Sequence, residues 1–209
     1  MLVKDVMRSP VTVIAPRTTL GEAYEIFRSR GFRHLPVVED GRLVGILTDR
    51  DLRFATSSLS PNPCDADDAV ALAMVQSVRT ADPLDPVEDA ARIMREHKIG
   101  CLPVMDGSDL VGILTGMDLL DALISLTGVT KPSSRLEVAL ADRPGELARL
   151  TAILAHRNVN IHSILTYPVP DGPVHTVLRV DSNQSRPLAD VLRTEAFEVL
   201  WPPQKPWPH

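Results

Sequence analysis

Apolar positions recur along this chain with two periods, and the switching between them outlines the elements. Leu20, Ala23 and Phe27 follow helical spacing behind Thr19, with Glu22 three residues on, so the pattern predicts a helix opened by a capping box. The aliphatic runs Leu35 to Val38 and Leu43 to Leu47 flank Glu39-Asp40-Gly41 and predict two strands joined by a turn. A second helix starts near Thr48. The same order then returns. Val87, Ala90 and Met94 lie on a helix announced by Asp85, Pro86 and Glu88. Leu102 to Met105 and Leu110 to Leu114 flank Asp106-Gly107-Ser108, and another helix starts near Thr115.

A constant shift of 67 residues superimposes the two sets without a gap. Met7 falls on Met74, Pro16 on Pro83, and Ile26 on Ile93. Leu35-Pro36-Val37 becomes Leu102-Pro103-Val104, Leu43 to Thr48 becomes Leu110 to Thr115, and Asp51-Leu52 becomes Asp118-Leu119. The chain therefore contains an internal duplication. Thr56 to Asp68, rich in Ser, Pro, Asn and Asp, reads as the connection between copies. Gly128 and Pro132 end the last helix of the second copy, and Pro132-Ser133-Ser134 forms a short linker. Beyond it the period breaks. Strands over Arg135 to Leu140, Asn160 to Tyr167, Val174 to Val180 and Phe197 to Trp201, with helices over Pro144 to His156 and Pro187 to Thr194, spell βαββαβ. The fold class is α+β, with segments 1–60 and 61–130 for the two copies, 134–202 for the last domain and 203–209 for a Pro-rich tail.

Composition narrows the partners. The 209 residues are 44% hydrophobic, 23% charged and only 4% aromatic, so the cores are aliphatic and no stacking platform for single-stranded nucleic acid is visible. A net charge of -5 argues against nucleic acid or an anionic membrane as the main partner. That charge is uneven: residues 1–60 carry +2, residues 61–134 carry -7, and the remainder is neutral. Arg33, Arg50 and Arg53 of the first copy are Gly100, Met117 and Leu120 in the second, which makes the first copy the friendlier one to an anion. Cys64 and Cys101 form no CxxC pair, no apolar stretch reaches membrane length, and the start lacks a leader-like apolar core; a cytoplasmic protein is expected.

The strongest chemical signal is Gly-Ile-Leu-Thr-x-x-Asp, at Gly45 to Asp51 and again at Gly112 to Asp118. Thr48 with Asp51, and Thr115 with Asp118, can be plain capping boxes. They can equally present a helix N-terminus and a carboxylate able to accept two vicinal ribose hydroxyls, with the glycine letting a flat ring approach the strand. This junction, the upstream Leu-Pro-Val and the duplication resemble a tandem pair of CBS domains over residues 1 to about 128. The resemblance implies two βαββα units packed as a pair and an adenosine-containing ligand (AMP, ADP, ATP or S-adenosylmethionine) in the cleft between them. It assigns Thr48 and Asp51 to one site and Thr115 and Asp118 to the other, the aspartates taking ribose hydroxyls. It also implies that Arg33 with His34 and Gly100 with Cys101 border the base or phosphates, and that Val11 with Thr12 and Val78 with Arg79 supply backbone contacts. Arg33 and His34 are also readable as solvated side chains.

In the last third, Asp142-Arg143-Pro144-Gly145-Glu146-Leu147 followed by Asn158-Val159-Asn160-Ile161 can be a tight turn, a Pro-started helix and a helix stop. The segment resembles an ACT domain, a ferredoxin-like βαββαβ fold. That likeness implies dimerisation or capture of a small effector such as an amino acid near Asp142, Arg143, Gly145, Asn160 and Ile161. The order CBS, CBS, ACT is similar to the acetoin-utilisation B-type regulatory proteins. It implies a homodimeric, non-catalytic sensor linked to acetoin breakdown, acting on a regulated enzyme and on neither nucleic acid nor membrane. The alternative is a ligand-free scaffold or gating subunit for an enzyme or transporter. No phosphate-binding glycine loop, HExxH or GxSxG is present, and His34, His97, His156, His162, His175 and His209 show no metal-ligand spacing, although His162 and His175 can share neighbouring strands.

Overall fold

A computed structural model describes residues 1–170, 172–183 and 185–204, so the expected tail lies outside the described residues from position 205 onward. Contacts divide the chain into two units, Met1–Ala122 and Leu123–His209.

In the first unit each copy contributes a helix, a hairpin and a second helix. These are α1 (Leu20–Arg30), β1 (His34–Glu39), β2 (Arg42–Thr48) and α2 (Asp49–Ala55), then α3 (Val87–His97), β3 (Cys101–Asp106), β4 (Asp109–Thr115) and α4 (Gly116–Thr127), the last of which contains the unit boundary. The hairpins match in register: Leu35 pairs with Leu47 and Leu102 with Leu114, and both slip one residue before the turn. The leading strand of each copy shrinks to one parallel bridge, Ile14 to Val37 and Ala81 to Val104. Thr19 caps α1 as its spacing predicts, accepting from the Glu22 amide at 3.1 Å while Glu22 Oε2 takes the Thr19 amide at 2.9 Å.

The second copy departs from this at one point. Pro86, the counterpart of Thr19, is the N-cap residue of α3 and offers no side-chain acceptor. Asp85, read from the sequence as the cap, turns its carboxylate back to the Asp82 amide at 2.8 Å. A hydroxyl was replaced by a ring, and the neighbouring carboxylate closed a local turn instead.

The two copies exchange their leading segments. Val3, in a short 3-10 turn, is fully buried in the second copy's core with Ala90, Met94, Leu102 and Leu114. Val70, its counterpart in register, is fully buried in the first copy's core with Leu20, Ala23, Leu35 and Leu47. Arg8 then pairs with Ile113 on β4, and Val75 pairs with Ile46 on β2, each through two backbone hydrogen bonds. Ile46, Ile113 and Cys101, with half-buried Val11 and Val78, form a small apolar cluster that joins the copies.

The second unit is β5 (Ser134–Leu140), α5 (Glu146–His156), β6 (Ile161–Pro168), β7 (Val174–Val180), α6 (Ser185–Thr194) and β8 (Glu198–Trp201). Its sheet is antiparallel in the order β6-β7-β5-β8, the split-βαβ arrangement. Alternation directs Leu136, Val138, Leu140, Leu178 and Val180 toward Leu150, Leu154, Leu188 and Leu192 of the two helices. The opposite sheet face is open. Among the described residues no helix is long and apolar enough to cross a membrane.

Candidate functional site

The two Thr-x-x-Asp segments sit where β2 runs into α2 and β4 into α4. At the first, Thr48 Oγ1 accepts the Asp51 amide at 3.1 Å and donates to Asp51 Oδ2 at 2.6 Å, while the Thr48 amide donates to the same oxygen at 3.1 Å. The capping-box reading is therefore correct. It also uses only one carboxylate oxygen. Asp51 Oδ1 has no protein partner among the described residues, and the side chain is half-buried.

Around this carboxylate the structure gathers part of the predicted set. His34 faces Thr48 in the β1–β2 register, and the Arg33 carbonyl accepts the Asp49 amide at 3.1 Å. The second copy repeats this, with Cys101 opposite Thr115 and the Gly100 carbonyl accepting the Gly116 amide at 3.2 Å. His34 also reaches the other copy: a Cβ on Gly100 would stand 2.7 Å from its Nε2, so the missing side chain makes room for the ring. Burial lowers the His34 pKa below its usual value; Asp49 and Asp51 oppose that shift, while Arg33 adds to it. Cys101 is buried in the central cluster, which pushes its thiol up to about 12 and leaves it a packing group.

Val11 and Val78 are packed in that cluster, whereas Thr12 and Arg79 are exposed. Of the arginines that make the first copy the friendlier one to an anion, Arg53 is engaged by Asp49 at 2.5 Å, and Arg33 and Arg50 are exposed beside the first junction. The glycine reading needs correction. Gly45 is covered by Met74, whose sulfur would lie 2.6 Å from an added Cβ, and Gly112 is covered by Met7. Each strand glycine accommodates a methionine from the crossing segment, not a flat ring.

The second junction differs from the first. Asp118 Oδ2 takes the Thr115 amide at 2.8 Å and the Thr115 hydroxyl at 2.6 Å, and Oδ1 accepts Arg8 Nε at 2.7 Å. Asp118 is 4% exposed. Sequence reasoning missed Arg8 because it lies 110 residues away; only the exchange of leading segments brings it there.

In the second unit, Gly145 holds a left-handed backbone at φ 94° as N-cap of α5, and Arg143 folds onto Glu146 through Nε at 2.9 Å and Nη2 at 2.7 Å. Those bonds, Arg143 foremost, hold the Glu146 carboxyl below its usual range. Asp142 is exposed, Asn160 pairs through its backbone with Asp181, and Ile161 packs on the core. The five residues are not brought together in one chain. Ile161 aligns through Val180 with Ser134, at the start of β5, whereas Asp142 and Gly145 follow its end, about 20 Å away along the strands. The open sheet face carries a cluster the sequence did not reveal: Glu137 on β5 accepts from Arg135 at 2.6 Å and from Tyr167 on β6, whose hydroxyl lies 3.1 Å from His175 Nδ1 on β7. His162 and His175 are indeed on neighbouring strands, but the register sets His175 against Tyr167. No group of three metal-ligating side chains occurs among the described residues.

A surface groove of about 940 Å³ beside α1, lined by Glu22, Glu25 and Asp67, and one of about 580 Å³ lined by Pro10, Val11 and Asp109 both lack the Thr-x-x-Asp residues.

Comparison with known proteins agrees with this anatomy. The CBS domain family matches residues 3–58 and 68–125, and the ACT domain family matches residues 134–195. A CBS domain-containing protein of Dictyostelium discoideum is 39% identical over 143 residues, spanning 64% of this chain and 99% of its own length. A Vibrio cholerae structure provisionally assigned to acetoin utilization (AcuB) superposes with a TM-score of 0.55 at 31% identity, over 64% of this chain and 98% of that one. A CBS domain pair solved with 5'-methylthioadenosine and S-adenosyl-L-methionine superposes with a TM-score of 0.54 at 29% identity, over 63% and 98%. The exchanged leading segments, the paired hairpins and these matches together place the chain in the CBS-domain family, as a tandem pair followed by an ACT domain.

Proposed function

We propose that the chain is a non-catalytic regulatory sensor whose first Thr-x-x-Asp junction takes an adenosine-containing ligand. One observation carries the reading: half-buried Asp51 keeps a carboxylate oxygen without a protein partner among the described residues, 3 positions into a junction that already satisfies its own helix end. Two vicinal ribose hydroxyls are donors of the right number for such an oxygen. The ligands of the related CBS pair, both adenosine derivatives, support that class. Exposed Arg33 and Arg50 extend it to phosphate-bearing members such as AMP, ADP or ATP. A ligand here biases the arrangement of the copies only by its difference in affinity between arrangements.

The ACT residues near Gly145 and those near Asn160 lie at opposite ends of one sheet, so an effector such as an amino acid that touches both sets requires a second copy, and a homodimer is the matching form. The likeness to the Vibrio protein supports a role in regulating acetoin breakdown. Two unpaired cysteines suit the cytoplasm. A second reading, a ligand-free scaffold that regulates a partner enzyme by contact, draws on the ion pair of Arg8 with Asp118, which engages the second carboxylate oxygen of that junction within the protein.

Titration calorimetry with AMP, ADP, ATP and S-adenosylmethionine tests the proposal. At least one ligand binds the wild type, and Asp51→Asn weakens that binding tenfold or more, the scale of losing hydrogen bonds to a charged acceptor. Absence of heat from all four, or equal affinity in the variant, favours the scaffold.

A further inference from the structure

We infer that Arg8 is a built-in competitor for the ribose hydroxyls at the second junction, so that the two clefts of the pair are unequal by construction and the first fills before the second. This rests on the nucleotide reading above and specifies how its two sites are regulated.

Arg8 and Val75 are equivalent residues, each fixed by two hydrogen bonds to the matching strand: Arg8 to Ile113 at 2.9 and 3.0 Å, Val75 to Ile46 at 2.9 Å in both directions. Each strand residue lies two positions before its threonine. A side chain at this position therefore projects from the same scaffold toward the same junction in both copies. In the first copy it is a valine with no donor. In the second it is an arginine whose Nε donates to Asp118 Oδ1, the oxygen whose counterpart on Asp51 has no protein partner among the described residues.

The energetics favour a latch over a decorative ion pair. Arg8 is 66% exposed, so its guanidinium gains little from burial. Asp118 is 4% exposed, and a buried carboxylate stripped of a charged donor is penalised unless another donor replaces it. Ribose hydroxyls can replace Arg8, but they gain only the difference between their bonds and the charge-assisted one they displace. At Asp51 the same hydroxyls displace only water. Freed Arg8 returns to solvent at small cost, so the latch is reversible. Since the tether is a single residue on a bridge of two hydrogen bonds, occupation of the second cleft depends on ligand concentration in a range above that of the first.

The test uses the full-length chain and AMP in titration calorimetry, with unfolding midpoints of every variant as the folding control. In the Asp51→Asn background, which silences the first cleft, adding Arg8→Gln strengthens binding at the second cleft on the order of tenfold to a hundredfold, the scale of a charged hydrogen bond. Val75→Arg in the otherwise wild-type chain transplants the latch and weakens the first cleft by a similar factor. Unchanged or weaker binding in Asp51→Asn/Arg8→Gln, where Arg8 would be a ligand contact, overturns the inference while wild-type binding keeps the nucleotide reading. No binding of AMP, ADP, ATP or S-adenosylmethionine to any of the chains removes both.

Discussion

His34 is the titratable group most exposed to conflict at the first junction. Burial disfavours its charged form and Arg33 does the same, whereas Asp49 and Asp51 favour it; the balance lies below the usual histidine value. The unfolded chain then binds a proton that the folded chain declines over the interval from about pH 6.5 downward to the folded value. Folded stability contributed by neutral His34 is complete above that interval and is lost as the pH falls through it. Urea midpoints measured at several pH values between 7.5 and 5 should fall toward acid in the wild type and fall less in His34→Gln. Equal slopes in the two chains would mean that the ring is solvated in solution. At this scale the sequence was legible where partners are close in the chain: Thr48 with Asp51 and Thr115 with Asp118 were readable as capping boxes from spacing alone. Arg8 with Asp118, and His34 against Gly100, were not, because their proximity comes from how the copies embrace and no local period encodes that.

Elements were read more fully than contacts. The hairpins around Glu39-Asp40-Gly41 and Asp106-Gly107-Ser108 lie where alternation and turn residues place them, since both signals are local. The exceptions lie where partners are non-local. Ahead of α1 and α3 a single bridge forms, Ile14 to Val37 and Ala81 to Val104, while Val11 and Val78 pack in the cluster that joins the copies. The glycine of Gly-Ile-Leu-Thr answers to a methionine that arrives from outside its own repeat. A methyl group on Gly45 would meet Met74 Sδ at 2.6 Å and the Val75 carbonyl oxygen at 3.1 Å. The thioether can swing away; the carbonyl cannot without loosening its bond to Ile46, 2.9 Å long. Gly45→Ala should therefore destabilise the first unit by about 1–3 kcal/mol, as overpacking does. In a double-mutant cycle with Met74→Ala the two losses should be less than additive, because the shortened side chain relieves the clash. Full additivity would show that the methionine is not what the glycine accommodates.

At the scale of the whole molecule, the duplication divides the sequence differently from the way packing divides the chain. The 67-residue shift was visible in the sequence and aligned Met7 with Met74, but it left open whether each leading segment serves its own copy or the other. The structure answers through burial: Val3 completes the core of Leu102 and Leu114, and Val70 completes the core of Leu35 and Leu47. Each repeat is therefore unfinished without a segment that lies outside it, and neither 9–60 nor 76–122 contains all of its own core. Truncating either fully buried valine to alanine removes two methyl groups from a close-packed site, at a cost of roughly 2 kcal/mol. The location of the damage distinguishes exchanged from unexchanged packing. By native-state hydrogen exchange, Val3→Ala should lower protection first in the β3–β4 hairpin and α3, and Val70→Ala first in the β1–β2 hairpin and α1. The converse pattern, with Val3→Ala loosening β1 and β2, would mean that the leading segments fold back on their own repeats. Arg8 would then be placed near Asp51 instead of Asp118, and the inequality of the two clefts would be reversed.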